Sequence, residues 1–219
     1  MKKMLILLAL ILCGVIALYA QSGQVRELAG TVELKRPGAA DFVPAKSGDT
    51  LTQDTIVSTG FKSTALITVG GSAILVRPLT RLSLAELSVD SGSENINVNL
   101  QTGRIRVDVN PPAGTRTNMT VRGPSAIASV RGTGFDFDTR NLTVNHGKVS
   151  FQGNKGMVMI VGQGSASTVS DSGKAADPIL ITAGALLPPA PVGTGFVPAQ
   201  KHLPAGAVFT VTLDYSSDE

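Results

Sequence analysis

A histidine beside another histidine, a cysteine or a carboxylate at ligand spacing can hold a transition metal, and beside a serine it can activate an acyl-transfer nucleophile. The chain has two histidines, His146 and His202. His146 lies in the turn-like Asn145-His146-Gly147 and His202 in a Pro-rich tail. Neither has such a partner nearby in sequence, so both read as solvated. Asp136 and Asp138 fall on one face of a strand-like run, where paired carboxylates could meet a hard cation. Calcium takes about six to eight oxygens, usually from a loop, so this pair reads instead as a solvated face. Gly162-Gln163-Gly164-Ser165 lacks the lysine and the spacing of a phosphate-cradling loop. Asn118-Met119-Thr120 and Asn141-Leu142-Thr143 match the glycosylation pattern, one short enough to arise by chance. Asn95, Asn97 and Asn99 alternate with apolar residues, a pattern that suits sugar binding but also simply keeps one strand face wet. The sequence therefore predicts no catalytic residue, no cofactor and no metal, and a chain that is not an enzyme.

The N-terminus sets the compartment. Lys2 and Lys3 precede an apolar run from Met4 to Leu18, and Leu18-Tyr19-Ala20 ends in a small residue. This predicts a signal helix in residues 1–20, cleaved after Ala20, and export to the periplasm or cell envelope. A retained membrane anchor is the rival, but the run falls short of the roughly 20 apolar residues that a span needs. Cys13 is the sole cysteine. Its lipidation would require cleavage after the bulky Leu12, so it reads as an ordinary residue of the apolar run. Cleavage at Ala20 leaves no cysteine, hence no disulfide, and no membrane span. The formal charge of +3 comes from 19 basic and 16 acidic residues; without Lys2 and Lys3 it falls to +1. Such scattered, balanced charge excludes a nucleic-acid binder, which needs a clustered basic face.

The elements that would carry these residues are short strands. Aromatics make up 4% of the chain and Trp is absent, while Gly (24) and Pro (12) are frequent, so the core must be built from Val, Ile, Leu and Ala. Residues 25–36 form a first strand region, and Pro44 marks a sheet edge. Two β-rich runs flank Gly70-Gly71 as a hairpin. Leu82 to Val89 reads as a strand, with Ala85-Glu86 compatible with a helical turn. Ile96, Val98 and Leu100, then Ile105, Val107 and Val109, alternate with polar residues around Thr102-Gly103, and this predicts a second hairpin. Gly30-Thr31-Val32, Gly103-Arg104-Ile105 and Gly147-Lys148-Val149 repeat one Gly-x-apolar opening. At the centre stands Val130-Arg131-Gly132-Thr133-Gly134-Phe135, whose glycines let the backbone bend, bulge or lie close to a neighbouring strand. Beyond Asn154 the chain turns Gly/Ser/Pro-rich, with possible strands at 157–161 and 209–213. Whether residues 154–219 continue the main module or hang from it is open at this level.

Taken together, several pieces in this order resemble the FecR domain family. They are Gly48-Asp49-Thr50-Leu51 with Ile56 to Gly60, Ser63-Thr64-Ala65 leading to Gly71-Ser72 and Ile74-Leu75, Leu100 to Val109, Thr120-Val121 to Ala126, Val130 to Phe135, and Val144 to Phe151. The best match spans residues 48–153, within a β-domain of residues 21–153. The resemblance implies an all-β, solenoid-like periplasmic module, with Arg131, Gly132, Thr133 and Phe135 as its structural motif; a two-sheet β-sandwich is the alternative fold. In the family's founding members the domain belongs to a membrane-spanning regulator of a sigma factor, which relays a signal from an outer-membrane iron-siderophore receptor. Here the apolar segment reads as cleavable, and no sigma-binding segment precedes it. The expectation is therefore an exported, non-catalytic interaction or sensor module whose partner is an envelope protein or glycan. A membrane-anchored regulator of transmembrane signalling is the alternative.

Overall fold

The computed structural model describes residues 22–90, 92–111 and 113–178. The expected signal helix, its cleavage site at Ala20, Cys13, His202 and the possible strand at 209–213 lie outside these residues.

The described residues fold into strands only: β1 (Gly23–Ala29), β2 (Val32–Lys35), β3 (Val43–Pro44), β4 (Thr50–Leu51), β5 (Ile56–Thr59), β6 (Thr64–Val69), β7 (Ser72–Val76), β8 (Arg81–Asp90), β9 (Ser93–Thr102), β10 (Arg104–Val109), β11 (Arg116–Arg122), β12 (Ala126–Val130), β13 (Gly134–Asp138), β14 (Asn141–His146), β15 (Lys148–Gly153), β16 (Met159–Gly162) and β17 (Ala166–Thr168). They form two open sheets. Sheet I has the order β17-β14-β13-β10-β7-β6-β1-β4, and sheet II the order β16-β15-β12-β11-β9-β8-β5-β2-β3. Apart from the first few strands, both orders follow the chain, which advances along the molecule while crossing between sheets.

Period-two alternation explains the core. In β6, β7, β10 and β12 every second side chain is buried, and in β9 Ile96, Val98 and Leu100 are. Inward residues of both sheets, from Val25 to Val169, make one apolar cluster. Its largest members are Phe135, Phe137 and Phe151. The Phe137 ring, from sheet I, meets Phe151, from sheet II, edge-on at 6.2 Å between centroids and 78° between planes.

Several expectations meet their strands. The Gly70-Gly71 hairpin joins β6 to β7, with Val69 opposite Ser72. Pro44 ends β3, at the edge of sheet II. Ala85 sits at a register shift within β8, so the stretch compatible with a helical turn is a β-bulge. Residues 25–36 divide between β1 of sheet I and β2 of sheet II.

The hairpin predicted around Thr102-Gly103 does not form. β9 pairs with β8 and, in parallel, with β11, whereas β10 pairs with β7 and β13 in the other sheet. Both arms alternate because both face the same core, and alternation reports a face, not a pairing partner. Gly103 is instead a corner where the chain leaves sheet II for sheet I. Its φ is +90°, and a Cβ there would lie 2.5 Å from the Thr80 Cα. The Thr80 hydroxyl accepts the Arg104 N–H at 3.0 Å and lies 3.1 Å from the Arg104 carbonyl as a donor.

The other two Gly-x-apolar openings are also sheet-crossing corners with a buried hydroxyl beside them. At Gly30, between β1 and β2, Ser63 Oγ accepts the Thr31 N–H at 2.8 Å. At Gly147, between β14 and β15, Thr133 Oγ1 donates to the Lys148 carbonyl at 3.1 Å. Ser63, Thr80 and Thr133 are all buried. Each hydroxyl finds a backbone partner, as a buried polar group must.

The sheets run past Asn154. β16 pairs with β15 and β17 with β14, so residues up to 168 continue both sheets.

Candidate binding surface

The central motif separates into a buried part and an exposed part. Gly132 turns the chain from β12 of sheet II into β13 of sheet I, with φ +113°. Thr133 is the buried latch on the Gly147 corner, and Phe135 is a fully buried core residue. Gly134 lies against the His146 ring at a register shift between β13 and β14. Bend, bulge and close approach are thus all present in this one stretch. Arg131 alone projects to solvent, onto the outer face of sheet II.

The outer face of sheet I is charged, and most of its cations are matched. Asp136 lies 3.6 Å from Arg77 and accepts from Asn145 at 3.0 Å. Asp138 lies 3.4 Å from Arg104. Arg106 stands directly opposite Asp136 in the β10–β13 register. His146, the last residue of β14, has its Nε2 3.5 Å from the Asp108 carboxylate. No sequence spacing announced that contact, because the two residues meet only across paired strands. Among the described residues no group of three or more His, Cys, Asp or Glu gathers to hold a metal ion. The two sequon asparagines are strand residues engaged elsewhere: Asn118 donates to Asn95 at 3.0 Å and Asn141 to Asp138 at 3.0 Å. Gly162 to Ser165 is a tight turn, with the Ser165 N–H on the Gly162 carbonyl at 3.1 Å.

Asp138 holds the turn between β13 and β14. One of its oxygens accepts the Arg140 N–H at 2.9 Å and the Asn141 N–H at 2.7 Å, as aspartates do at tight turns. Burial alone would raise its pKa. The Arg140 N–H, the Asn141 side chain and N–H, and the Arg104 charge outweigh that and hold it below the ordinary carboxylate value. A depressed folded-state pKa contributes stability above the unfolded value, near pH 3.9, and that contribution is lost as pH falls through the folded value. The stability gap between the native chain and Asp138→Asn should therefore be full at pH 6 and should narrow below about pH 4. Thermal melts across pH 2.5–7 would show it, and a gap constant through pH 3 would remove Asp138 as the cause.

The outer face of sheet II is different in kind. Neighbouring strands place Glu86, Asn97, Thr120, Ser129 and Ser150 in one row across β8, β9, β11, β12 and β15. Asn95 and Asn118 stand opposite each other in the next row. A shallow depression of about 520 Å³ is lined by Asn118, Thr120, Ser129, Arg131, Lys148 and Ser150, among others. Its floor is hydroxyl and amide, and its two cations come from the β12 corner and the start of β15. Beyond Ser150 the row ends at Ile160 on β16, which is 59% exposed.

The four sheet edges are unequal. β3 is two residues long and ends in Pro44, and β4 is two residues long. The β17 edge is covered by the chain folding back: Val169 bridges Ala175, and the Ala176 N–H donates to the Thr168 carbonyl at 2.8 Å. β16 pairs on one side with β15, and among the described residues no strand covers its other side. Exposed Met157 and Val158 lead into it.

Residues 55–158 match the sequence model of the FecR protein family, just under half of the chain. This segment is a FecR domain. The match begins within the turn before β5 and ends just before β16, so it takes in the three-residue corner of Arg131, Gly132 and Thr133 and the Gly103 and Gly147 corners. No curated protein sequence matches the chain. Two crystal structures of a candidate anti-sigma factor from Parabacteroides distasonis ATCC 8503, at 2.50 and 1.65 Å resolution, are similar at 18% identity and a TM-score of 0.46. The similarity covers 59% of this chain and 63–64% of theirs, so less than two thirds of those proteins is spanned.

Proposed function

We propose that this FecR-domain protein is a non-catalytic binding module of the cell envelope that takes an extended segment of a partner protein onto the free edge of β16. The observation that carries the reading is the inequality of the edges. Three are short, proline-blocked or covered, while β16 has no second strand neighbour among the described residues and lies beside exposed Met157, Val158 and Ile160. An uncovered strand of this kind is a template for strand addition, in which backbone hydrogen bonds supply affinity and alternate side chains supply specificity. FecR-family membership supports a regulatory role related to sigma-factor control, with no chemistry of the domain's own. Lys2, Lys3 and the apolar run to Leu18 support export with cleavage after Ala20. A solenoid-like reading of the two sheets is supported by the parallel β9–β11 pair, in unbroken register from Ser93–Arg116 to Asn99–Arg122, and by the repeated corners.

The test places a charge on the edge. Ile160 lies on the outer face and contributes nothing to the core, so Ile160→Lys should leave the circular dichroism and melting temperature unchanged. It should also remove at least about nine-tenths of the partner captured from native envelope extract, because lysine is a common blocker of strand edges. Undiminished capture by Ile160→Lys, or no capture by the native chain, would sink the reading. Family membership also favours a second reading, a regulator retained in the membrane by Met4 to Leu18. Mass spectrometry of the mature N-terminus separates the two: a start at Gln21 supports release, and an intact Met1 in the membrane fraction supports retention.

A further inference from the structure

We infer that the outer face of sheet II around Arg131 and Lys148 is a binding site for an anionic glycan, a saccharide chain bearing carboxylate or phosphate groups. This site lies on a face of the sheet and does not depend on strand addition at the β16 edge.

The first observation is a charge imbalance between two faces of similar construction. On sheet I, Arg77 and Arg104 each have an aspartate within 4.0 Å, and Arg106 stands opposite Asp136. On sheet II, Arg131 and Lys148 have no ion pair, and their side chains make no hydrogen bond among the described residues. Continuing the β12–β15 register past Ser129–Ser150 brings the two residues side by side, and both line the same depression. Arg122, opposite Asn99, is a further cation on this face with no ion pair among the described residues. The carboxylate in the same row, Glu86, is already held by the Asn97 amide and by Ser88 Oγ at 3.1 Å. Among the described residues, no acid forms an ion pair with either cation.

The second observation is the floor between and beside the cations. Asn118, Thr120, Ser129 and Ser150 present amides and hydroxyls, and Thr120 and Ser129 already bond each other at 3.2 Å. Such groups both donate and accept, and so match the hydroxyls of a sugar ring. They also lie in rows across paired strands, about 4.8 Å apart, a spacing that suits a linear polymer crossing the strands. An acidic peptide would use the cations but would leave this polar floor unmatched. An arginine contributes paired donors for a planar carboxylate or a phosphate, and a lysine contributes a compact charge.

The test uses the purified full chain at about 0.1 M salt. Its probes are polygalacturonate for carboxylate, phosphomannan for phosphate, dextran as a neutral glycan and poly-L-glutamate as an acidic peptide. At least one charged glycan is expected to bind about tenfold or more tightly than dextran and poly-L-glutamate, and which one binds identifies the anion. Arg131→Gln with Lys148→Gln should weaken that binding at least about tenfold, as expected for losing two charge-assisted contacts. The melting temperature should not move, since both side chains are solvent-facing. Arg106→Gln, on the outer face of sheet I, should leave binding unchanged. The inference is overturned if neither charged glycan exceeds dextran, if poly-L-glutamate binds as well as the glycans, or if the double variant binds like the native chain.

Discussion

Gly103→Ala should destabilise the protein by about 3–6 kcal/mol, a large fraction of the roughly 5–15 kcal/mol that holds a domain folded. The estimate has separate parts. An L side chain at φ +90° is strained by about 1–2 kcal/mol. The new methyl would lie 2.5 Å from the Thr80 Cα, backbone that cannot swing aside, and overpacking of this kind costs about 1–3 kcal/mol. Displacing Thr80 also weakens its contacts with Arg104, at about 1 kcal/mol for a hydrogen bond. Gly38→Ala is the matched control. Its φ is +74°, and nothing lies within 4 Å of the added atom. It should show only the backbone part, about 1–2 kcal/mol. Urea unfolding of both variants measures the difference. Equal midpoint shifts would mean that the Gly103 corner is not packed against Thr80.

Phe135→Ala should cost about 3–5 kcal/mol, from lost burial plus the cavity left behind. Phe135 is fully buried, between Val107 of β10 and Val144 of β14 in its own sheet. The core has few side chains large enough to close such a gap, since aromatics are 4% of the chain and the two other buried phenylalanines, Phe137 and Phe151, are already in contact with each other. Phe135→Leu leaves a smaller void and should recover part of the loss. The measurement is again the urea midpoint, with the slope of the transition checked for two-state behaviour. A shift under about 1 kcal/mol for the alanine variant would place Phe135 outside the rigid core.

These two residues show what was legible in advance. Both stand in sequence signals that can be read without a structure, Gly103 in a repeated Gly-x-apolar opening and Phe135 in the central glycine-rich motif. The faces of the strands were legible too, because Ile96, Val98, Leu100, Ile105, Val107 and Val109 alternate wherever one side meets the core. Misread was the meaning of Gly103. A hairpin turn and a corner between sheets both call for a glycine between alternating runs, and the local pattern is the same for either. The Asp108–His146 approach was equally hidden, since β14 reaches β10 only through β13. The candidate surface shows the same limit. Arg131 stands in the central motif and Asn95, Asn97 and Asn99 in an alternating run, whereas Lys148 enters only as the middle residue of a Gly-x-apolar opening, because a lone lysine at the start of a strand carries no binding signal of its own.

By itself the sequence determined the all-β class, the inward and outward residues of most strands, the glycines on which the chain turns and the FecR likeness. Each of these rests on interactions within a few residues or on a motif that is local in the chain. The tertiary structure alone decided, among the described residues, which strands pair, which edge has no strand neighbour and which cations have no carboxylate beside them. Those outcomes depend on contacts between residues tens of positions apart. Alternation constrains which way a side chain faces, and only the closing of both sheets over one core selects its neighbour.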